Sequence, residues 1–426
     1  MGRYLCLIIS VVLFACDQGA VFQKTHPHAA YGNRLRSAGL GQTALSTFWF
    51  EAAEKSLSGP VSIHLPYKQI GFFPSDKPTA IGLRFTAKRG VQLHIEIKQQ
   101  AIPAANIFAD LWQFKNESPD FLIAADTANA SITYDVKETA DYILRLQPEL
   151  LVEAAFELSI TVSGSLAYPV AGPRASIGSV WGDARDAGAR LHEGIDIFDK
   201  KGTPVVAAAD GRITRLGDGG IGGKTVWMRV AGKGLSLYYA HLDQQLVQEG
   251  QSVKVGDTLG LMGNTGNART TPPHLHFGIY TSGGPVDPLP FVDRRKRQAP
   301  LPGFTLNALN QYYRTTTKVH KADLTIPVST MIYIAAADHM QLIGTLPDGI
   351  PISLPVKSAQ PIDNQLNIIT LKDTAALLAS PVNGAAQILA LYPQTKVAVK
   401  GYYASFAYIK LPESGLEGWV SQNHLR

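Results

Sequence analysis

The stretches His192-Glu193-Gly194-Ile195-Asp196 and His274-Leu275-His276 decide how the central part of this 426-residue chain folds. Tyr239-Ala240-His241-Leu242 lies between them, so four of the eleven histidines fall in one region. Gly194 interrupts the first stretch, and β-branched and aromatic residues surround all three, which favours strands over a helix. Because side chains at even offsets share one face of a strand, His274 and His276 point the same way, and His192 and Asp196 can do so too.

This pattern predicts a metal site. Two imidazoles and one carboxylate form a ligand set that suits zinc and leaves a fourth position for water. The region holds one histidine more than such a set needs, and a surplus histidine beside an open zinc site is a candidate general base or oxyanion partner. The alternative is that each histidine is an ordinary hydrogen-bonded core residue. Four histidines at these spacings favour the metal site.

Several further motifs make a family resemblance specific. They follow in order along the chain: Gly182-Asp183-Ala184-Arg185-Asp186, Leu191–Asp196, Gly202–Ala208, Tyr239–Leu242, Gly263–Asn267 and Pro273–Phe277. Over residues 170–292 the chain resembles the lysostaphin/LytM-type zinc endopeptidases. The resemblance implies a small β-rich fold, the duplicated hybrid motif, and cleavage of peptide bonds in peptidoglycan.

The resemblance also implies a role for each residue of the cluster. His192, Asp196 and His276 would bind Zn²⁺, and His241 and His274 would be the two unligated catalytic histidines. No motif position is replaced, whereas the non-enzymatic members of the family have lost ligands. Glu193 is a weaker candidate for the base, because its odd offset from both ligands points it away in a strand.

Two other functions stay open. The chain could be a non-catalytic envelope scaffold or a regulator of a cell-wall amidase, or it could be a zinc endopeptidase that acts on proteins. The composition, with 45% apolar and 17% charged residues, is that of a globular protein. A net charge of +5 suits polyanionic surroundings such as a cell envelope, and its low density predicts no nucleic-acid partner.

The first residues have the pattern of a secretion signal. Arg3 precedes an apolar run from Leu5 to Ala15 that is too short to span a bilayer. The run ends in Leu13-Phe14-Ala15-Cys16, which resembles a bacterial lipoprotein signal box. We therefore expect residues 1–15 to be a signal peptide and Cys16 to carry the lipid that anchors the protein to a membrane of the cell envelope. An ordinary secreted protein, cleaved at a nearby small residue, is the alternative.

The remaining segments predict a mainly β, multidomain protein. Residues 16–43 lack an apolar period and are expected to form a tether, in which His26 and His28 would be solvated. Short alternating runs over residues 44–164 predict an antiparallel β-sandwich. Residues 293–302 form a basic run, interpreted as a linker or as a contact to anionic polymers.

The C-terminal part is predicted to hold one or two small barrels. Residues 366–426 resemble bacterial SH3-like domains that bind cell-wall peptides, and residues 303–365 are a possible second one. Trp419 is expected to be either part of such a binding site or a core residue. The predicted partners are thus peptidoglycan and a membrane, and the sequence leaves the oligomeric state open.

Overall fold

The structure, a computed structural model, describes residues 26–102, 106–126, 130–185, 188–321 and 324–425. Strands dominate it, so the predicted mainly β fold is confirmed. The predicted signal peptide and Cys16 lie outside the described residues. Within the described ranges, no helix has both the length and the apolar character needed to cross a membrane.

Among the described residues, two helices precede the first sheet: α1 (Pro27–Ser37) and α2 (Ala44–Ser58). The His26 ring caps α1 by accepting from the Ala29 N–H, and the Thr43 side chain caps α2. Trp49 of α2 is 1% exposed and packs in a small core with residues of α1 and the sheet. The structure thus differs from the prediction over residues 16–43, because residues 27–37 form a helix that packs against the sheet.

Nine strands follow. They are β1 (Val61–Ser62), β2 (Tyr67–Phe73), β3 (Ile81–Ala87), β4 (Val91–Ile102), β5 (Ile107–Lys115), β6 (Ser118–Ala124), β7 (Ser131–Asp135), β8 (Ala140–Pro148) and β9 (Glu153–Gly164). One sheet has the order β1-β3-β8-β5-β6, and a second contains β2-β9-β4-β7. Leu93 and Ile95 of β4 share one fully buried core with Leu144 and Leu146 of β8, so the two sheets pack face to face.

The central region forms a second β-rich unit. Its strands are β10 (Ser176–Ser179), β11 (Ala184–Arg185), β12 (Arg190–Leu191), β13 (Ile195–Phe198), β14 (Pro204–Val206), β15 (Gly211–Gly219), β16 (Gly223–Val230), β17 (Ser236–Gln245), β18 (Ser252–Val253), β19 (Thr258–Met262), β20 (His274–Thr281) and β21 (Gly284–Val286). The short helix α3 (Leu289–Val292) closes the unit. Its main sheet has the antiparallel order β10-β13-β20-β17-β16-β15-β18.

Alternation along β17 shows how this sheet positions a site. Leu237 and Tyr239 are fully buried in the core, whereas Tyr238 points to the opposite face. On β20, Leu275 and Phe277 likewise face the core, and His276 between them does not. The core holds the strands in register, and the opposite face carries the polar cluster.

Thirteen strands follow the basic run. They are β22 (Gln311–Thr315), β23 (Val319–Lys321), β24 (Leu324–Ile326), β25 (Met331–Ala337), β26 (Gln341–Thr345), β27 (Pro351–Pro355), β28 (Ala359–Pro361), β29 (Asn367–Thr370), β30 (Ala375–Leu378), β31 (Gln387–Leu391), β32 (Lys396–Tyr403), β33 (Phe406–Lys410) and β34 (Glu417–Ser421). They enclose two cores, one before and one after residue 366. Strand β25 pairs with β2, so the first of these modules extends a sheet of the sandwich.

Trp419 is 2% exposed and packs with Met331 and Phe406. It therefore acts as a core residue where the two C-terminal modules meet. Within the basic run, Arg295 and Arg297 both pair with Asp293, and Arg294 lies over the ring of Tyr168 at 3.5 Å. The ion pairs within the basic run and the contact of Arg294 with Tyr168 therefore hold the run in place.

Candidate metal centre

Three side chains converge on the outer face of the central sheet. Asp196 of β13 and His276 of β20 are direct cross-strand partners, and His192 follows β12 in the turn that leads into β13. His192 Nε2 lies 2.9 Å from His276 Nδ1 and 3.1 Å from Asp196 Oδ1. His276 Nδ1 lies 3.0 Å from the same carboxylate oxygen. The three polar atoms therefore form a nearly equilateral triangle.

Neighbouring backbone fixes the His192 ring. Its Nδ1–H donates to the Val180 carbonyl at 2.9 Å, because a carbonyl oxygen can only accept. Ser179 Oγ lies 3.2 Å from the same nitrogen, and the His192 backbone N–H donates to the Asp183 carbonyl. With the proton on Nδ1, Nε2 presents a lone pair to the triangle. A hydrogen bond of this kind is the usual way in which a metal-binding histidine is oriented.

Arg185 supports the carboxylate from the other side. Its Nη2 donates to Asp196 Oδ2 at 2.5 Å and to Ser179 Oγ at 2.7 Å. Oδ2 is thus occupied, and Oδ1 is the oxygen that faces the two imidazoles. Burial alone would raise the pKa of Asp196, but the neighbouring His192 and His276 outweigh it and hold that pKa well below its usual range. The carboxylate is therefore charged.

The two surplus histidines lie beside the triangle. The His241 and His274 ring centres are 5.0 Å apart, and His241 lies 6.0 Å from His276. His241 Nδ1–H donates to the Thr265 carbonyl and His274 Nδ1–H to the Pro272 carbonyl, each at 2.9 Å. In its neutral form each ring therefore presents the lone pair of Nε2. Burial, and then the charge of nearby His274, lowers the pKa of His241 to about 4, which keeps it neutral.

The backbone of His241 is strained. Its φ of 64° lies in the left-handed region that residues other than glycine rarely adopt. Its N–H donates to the Gly222 carbonyl at 2.8 Å, and this bond helps to hold the conformation. Strain of this kind is common at functional sites, where the surrounding structure must fix it. Here it sets the direction of one of the two surplus imidazoles.

All five side chains line one cleft of about 860 Å³. Tyr238 and Tyr280 form part of its wall, and Tyr238 packs edge-on against His276 at 5.9 Å. Glu193 is exposed at the rim, consistent with the expectation that it points away from the ligands. Arg185 was not among the predicted site residues, although it lies within one of the family motifs, because nothing in the residue spacing pairs it with Asp196.

The donor set fits a zinc ion. Zinc bonds of about 2.0–2.2 Å in a tetrahedral arrangement place ligand atoms roughly 3.3 Å apart. The triangle edges of 2.9–3.1 Å are close to that spacing, and two imidazole nitrogens with one carboxylate oxygen are typical zinc ligands. His192, Asp196 and His276 also form one of two groups in the described residues that could hold a metal.

Comparison with known proteins identifies this unit. Residues 190–288 match Peptidase family M23, so the chain contains an M23 peptidase domain. The M23 metallopeptidases are zinc-dependent, which confirms the predicted cofactor. One protein similar to this chain is the DD-carboxypeptidase/endopeptidase Mpg of Neisseria meningitidis, which is 45% identical over 100 residues. Another is the murein hydrolase activator NlpD of Salmonella typhimurium, 40% identical over 105 residues.

These two matches cover only part of each protein. Each match covers 24% of this chain, and the chain spans 22% of the Neisseria protein and 27% of the Salmonella protein. Among solved structures, the catalytic domain of lysostaphin from Staphylococcus simulans is 31% identical. That match covers 28% of this chain and 91% of the lysostaphin domain, with a TM-score of 0.25.

Proposed function

We propose that this protein is a zinc-dependent endopeptidase that hydrolyses peptide stems or crosslinks of bacterial peptidoglycan during cell-wall remodelling. The observation that carries the proposal is the complete set of five side chains in one cleft. His192, Asp196 and His276 would hold the ion, and His241 and His274 would act on the substrate. A regulator that has lost catalysis needs neither the ligand triangle nor two oriented histidines beside it.

The chain's own residues supply most of the chemistry. Zn²⁺ in such a site acts as a Lewis acid toward the scissile carbonyl. The Nε2 of whichever of His241 and His274 is neutral can take a proton from the attacking water, because its Nδ1–H is donated to a backbone carbonyl. The same imidazole can then give that proton to the leaving amine nitrogen. The other histidine, when protonated, would donate from Nε2 to the carbonyl oxygen and stabilise the negative charge that develops there.

The relatives agree with this reaction class and also supply the alternative. One is named a DD-carboxypeptidase/endopeptidase, and the other a murein hydrolase activator. By the second name, the domain could instead activate another hydrolase without cutting anything itself. The intact ligand set and the two oriented histidines favour the enzyme.

Two variants separate the roles. Asp196→Ala should lose zinc from this site and all turnover, because the triangle loses its only carboxylate. His274→Ala should keep that zinc and lose about 10²–10⁴-fold in turnover on purified sacculi, the usual contribution of a general acid or base. His339→Ala, at an exposed histidine between β25 and β26, is the matched control and should change neither. Full turnover in Asp196→Ala would refute the assignment.

We further propose that the protein is a lipid-anchored envelope protein attached through Cys16. The relative named a murein hydrolase activator supports an envelope location, and the signal box supports the anchor. Two or more acyl chains give stable attachment. Cys16→Ser should therefore move the protein from the membrane fraction to the soluble fraction. Equal membrane recovery of both proteins would contradict the anchor.

The flanking modules are proposed to bring the catalytic domain to its substrate. The division into a sandwich over 44–164, a peptidase domain over 170–292, a linker over 293–302 and SH3-like modules over 303–365 and 366–426 stays a prediction. Pairing of β2 with β25 supports a fixed arrangement of the sandwich and the first C-terminal module. A chain that ends at residue 302 and so lacks the C-terminal modules should therefore bind sacculi more weakly than the full chain in a pelleting assay.

A further inference from the structure

A second cluster of side chains that could bind a metal lies where the first described helix meets the β-sandwich. His26 caps α1, His28 lies in its first turn, and Asp110 comes from the middle of β5. One ligand atom from each residue lies within 4.8 Å of the other two. Both histidines were predicted to be solvated in a tether, and the structure contradicts this prediction. His28 is 7% exposed and Asp110 is 1% exposed.

The Asp110 carboxylate has one satisfied oxygen and one that is not. Arg145, its cross-strand neighbour on β8, donates to Oδ2 through both Nε and Nη2. Oδ1 is buried and has no hydrogen-bond partner among the described residues. It lies 3.4 Å from His26 Nδ1. A buried carboxylate oxygen without a partner is costly, so such an atom calls for an explanation.

The nearby His26 Nδ1 does not give Asp110 Oδ1 the hydrogen bond that it lacks. His26 Nδ1 accepts the Ala29 N–H at the start of α1, so it carries a lone pair rather than a proton. This nitrogen lies 3.4 Å from the unpaired Oδ1, and its single lone pair would turn from the long Ala29 contact to a bound ion. Only a proton or a cation placed between the nitrogen and Oδ1 makes this contact favourable.

The His28 ring also has one nitrogen that carries a lone pair. Its Nε2–H donates to Gln147 Oε1 at 2.6 Å, because the amide nitrogen of Gln147 is already donating to the Trp49 carbonyl. The other ring nitrogen, Nδ1, is thus left with a lone pair. A partner on the far nitrogen is the arrangement that orients metal-binding imidazoles.

Aromatic rings hold both imidazoles in place. The His28 ring stacks on Trp49 and the His26 ring stacks on Phe121, each with ring centres 4.4 Å apart. Rings fixed in this way lose little freedom when they bind an ion, which favours binding. The 3.4 Å separation of His26 Nδ1 and Asp110 Oδ1 is already that of two zinc ligands.

The cluster repeats the chemistry of the catalytic centre. Each site has two imidazoles and one buried carboxylate, and in each an arginine binds one oxygen of the aspartate and leaves Oδ1 to face a histidine. We propose that His26, His28 and Asp110 bind a second divalent cation of the zinc class. This ion has a structural role: it fastens the start of α1 to the β-sandwich.

The position gives the site a consequence for the whole protein. Cys16 precedes His26 by ten residues, so the ion would fix the chain within roughly 35 Å of a lipid attached there, at about 3.3–3.6 Å per extended residue. Without it, α1 could detach and lengthen the segment between lipid and sandwich. The site would thus set how far the peptidase domain reaches from the membrane.

Zinc content in an Asp196→Ala background tests this inference. The full chain is stripped with a chelator, reloaded with ZnCl₂ alone and dialysed, and the zinc per chain is measured by mass spectrometry. Asp196→Ala should keep one equivalent. Adding His26→Asn should remove it, and asparagine retains the helix cap so that α1 can still form. His28→Phe, which keeps an aromatic ring against Trp49, should also remove it in that background.

His94→Asn is the matched control, because His94 lies on β4 of the same sandwich and bonds only to Thr133 among the described side chains. It should leave the one equivalent unchanged. The inference is overturned if folded Asp196→Ala holds no zinc, or if the His26→Asn double variant holds as much as Asp196→Ala. Neither result depends on turnover, so failure of the proposed peptidase activity would leave this test intact.

Discussion

Gly194→Ala tests how closely the backbone approaches His276, the proposed zinc ligand. A Cβ added at Gly194 would lie 2.6 Å from His276 Cε1, 2.8 Å from Nε2 and 2.8 Å from the Phe277 carbonyl oxygen. Ordinary contact begins at 3.4 Å, so about 0.8 Å of space is missing. The Phe277 carbonyl belongs to β20 and is held by the sheet, so the imidazole ring must move.

The size of the effect follows from that displacement. A shift approaching 1 Å at a catalytic group can cost about 10²-fold in rate. Overpacking of this kind also destabilises by about 1–3 kcal/mol. We therefore expect Gly194→Ala to weaken zinc binding, to lower turnover on sacculi by about 100-fold, and to lower the melting temperature by several degrees.

The matched control is Gly283→Ala, in the turn between β20 and β21 of the same domain. Its added Cβ meets nothing closer than the Thr281 hydroxyl at 3.7 Å, so activity and stability should stay at wild-type values. Zinc affinity is measured by competition with a coloured chelator, and turnover by release of soluble fragments. Wild-type affinity and turnover in Gly194→Ala would show that His276 need not occupy the position described.

Three further variants test separate contacts. Arg185→Gln removes the charged bond to Asp196 and should lower zinc affinity by about 10–100-fold, as measured by chelator competition, with the fold unchanged by circular dichroism. Gly82→Ala places a Cβ 1.7 Å from the Ser56 carbonyl oxygen and should displace α2. The free energy of unfolding, measured in urea, should fall by about 1–3 kcal/mol, and zinc at the candidate metal centre should be retained. Arg314→Met leaves backbone carbonyls in the C-terminal region without their donor and should make that region more sensitive to limited proteolysis.

The convergence of the candidate site residues was largely predictable because their geometry follows from strand alternation. His274 and His276 lie at an even offset on β20, and Asp196 is the direct partner of His276 across two strands. Arg185 could not be found this way. It reaches Asp196 because the chain folds back between β11 and β12, and no residue spacing reports that fold-back.

The accessory parts were less predictable for identifiable reasons. Strand β2 contains Gly71, and a glycine in the sequence favours a turn over a strand. In the structure a glycine is needed there, because an added Cβ would lie 2.1 Å from the Phe156 ring. Strand β6 contains Pro119, which weakens a strand pattern. The cluster of His26 and His28 needs Asp110 from a distant strand, so neither histidine signals its partner in the sequence.

Mass spectrometry of fragments released from purified sacculi tests the central claim most directly. The zinc-loaded wild-type chain should release fragments with newly formed peptide ends, a chelator should stop this release, and added zinc should restore it. If the folded, zinc-loaded protein leaves the peptides of the sacculi intact, the domain is not a peptidoglycan endopeptidase, and the activator function would take its place.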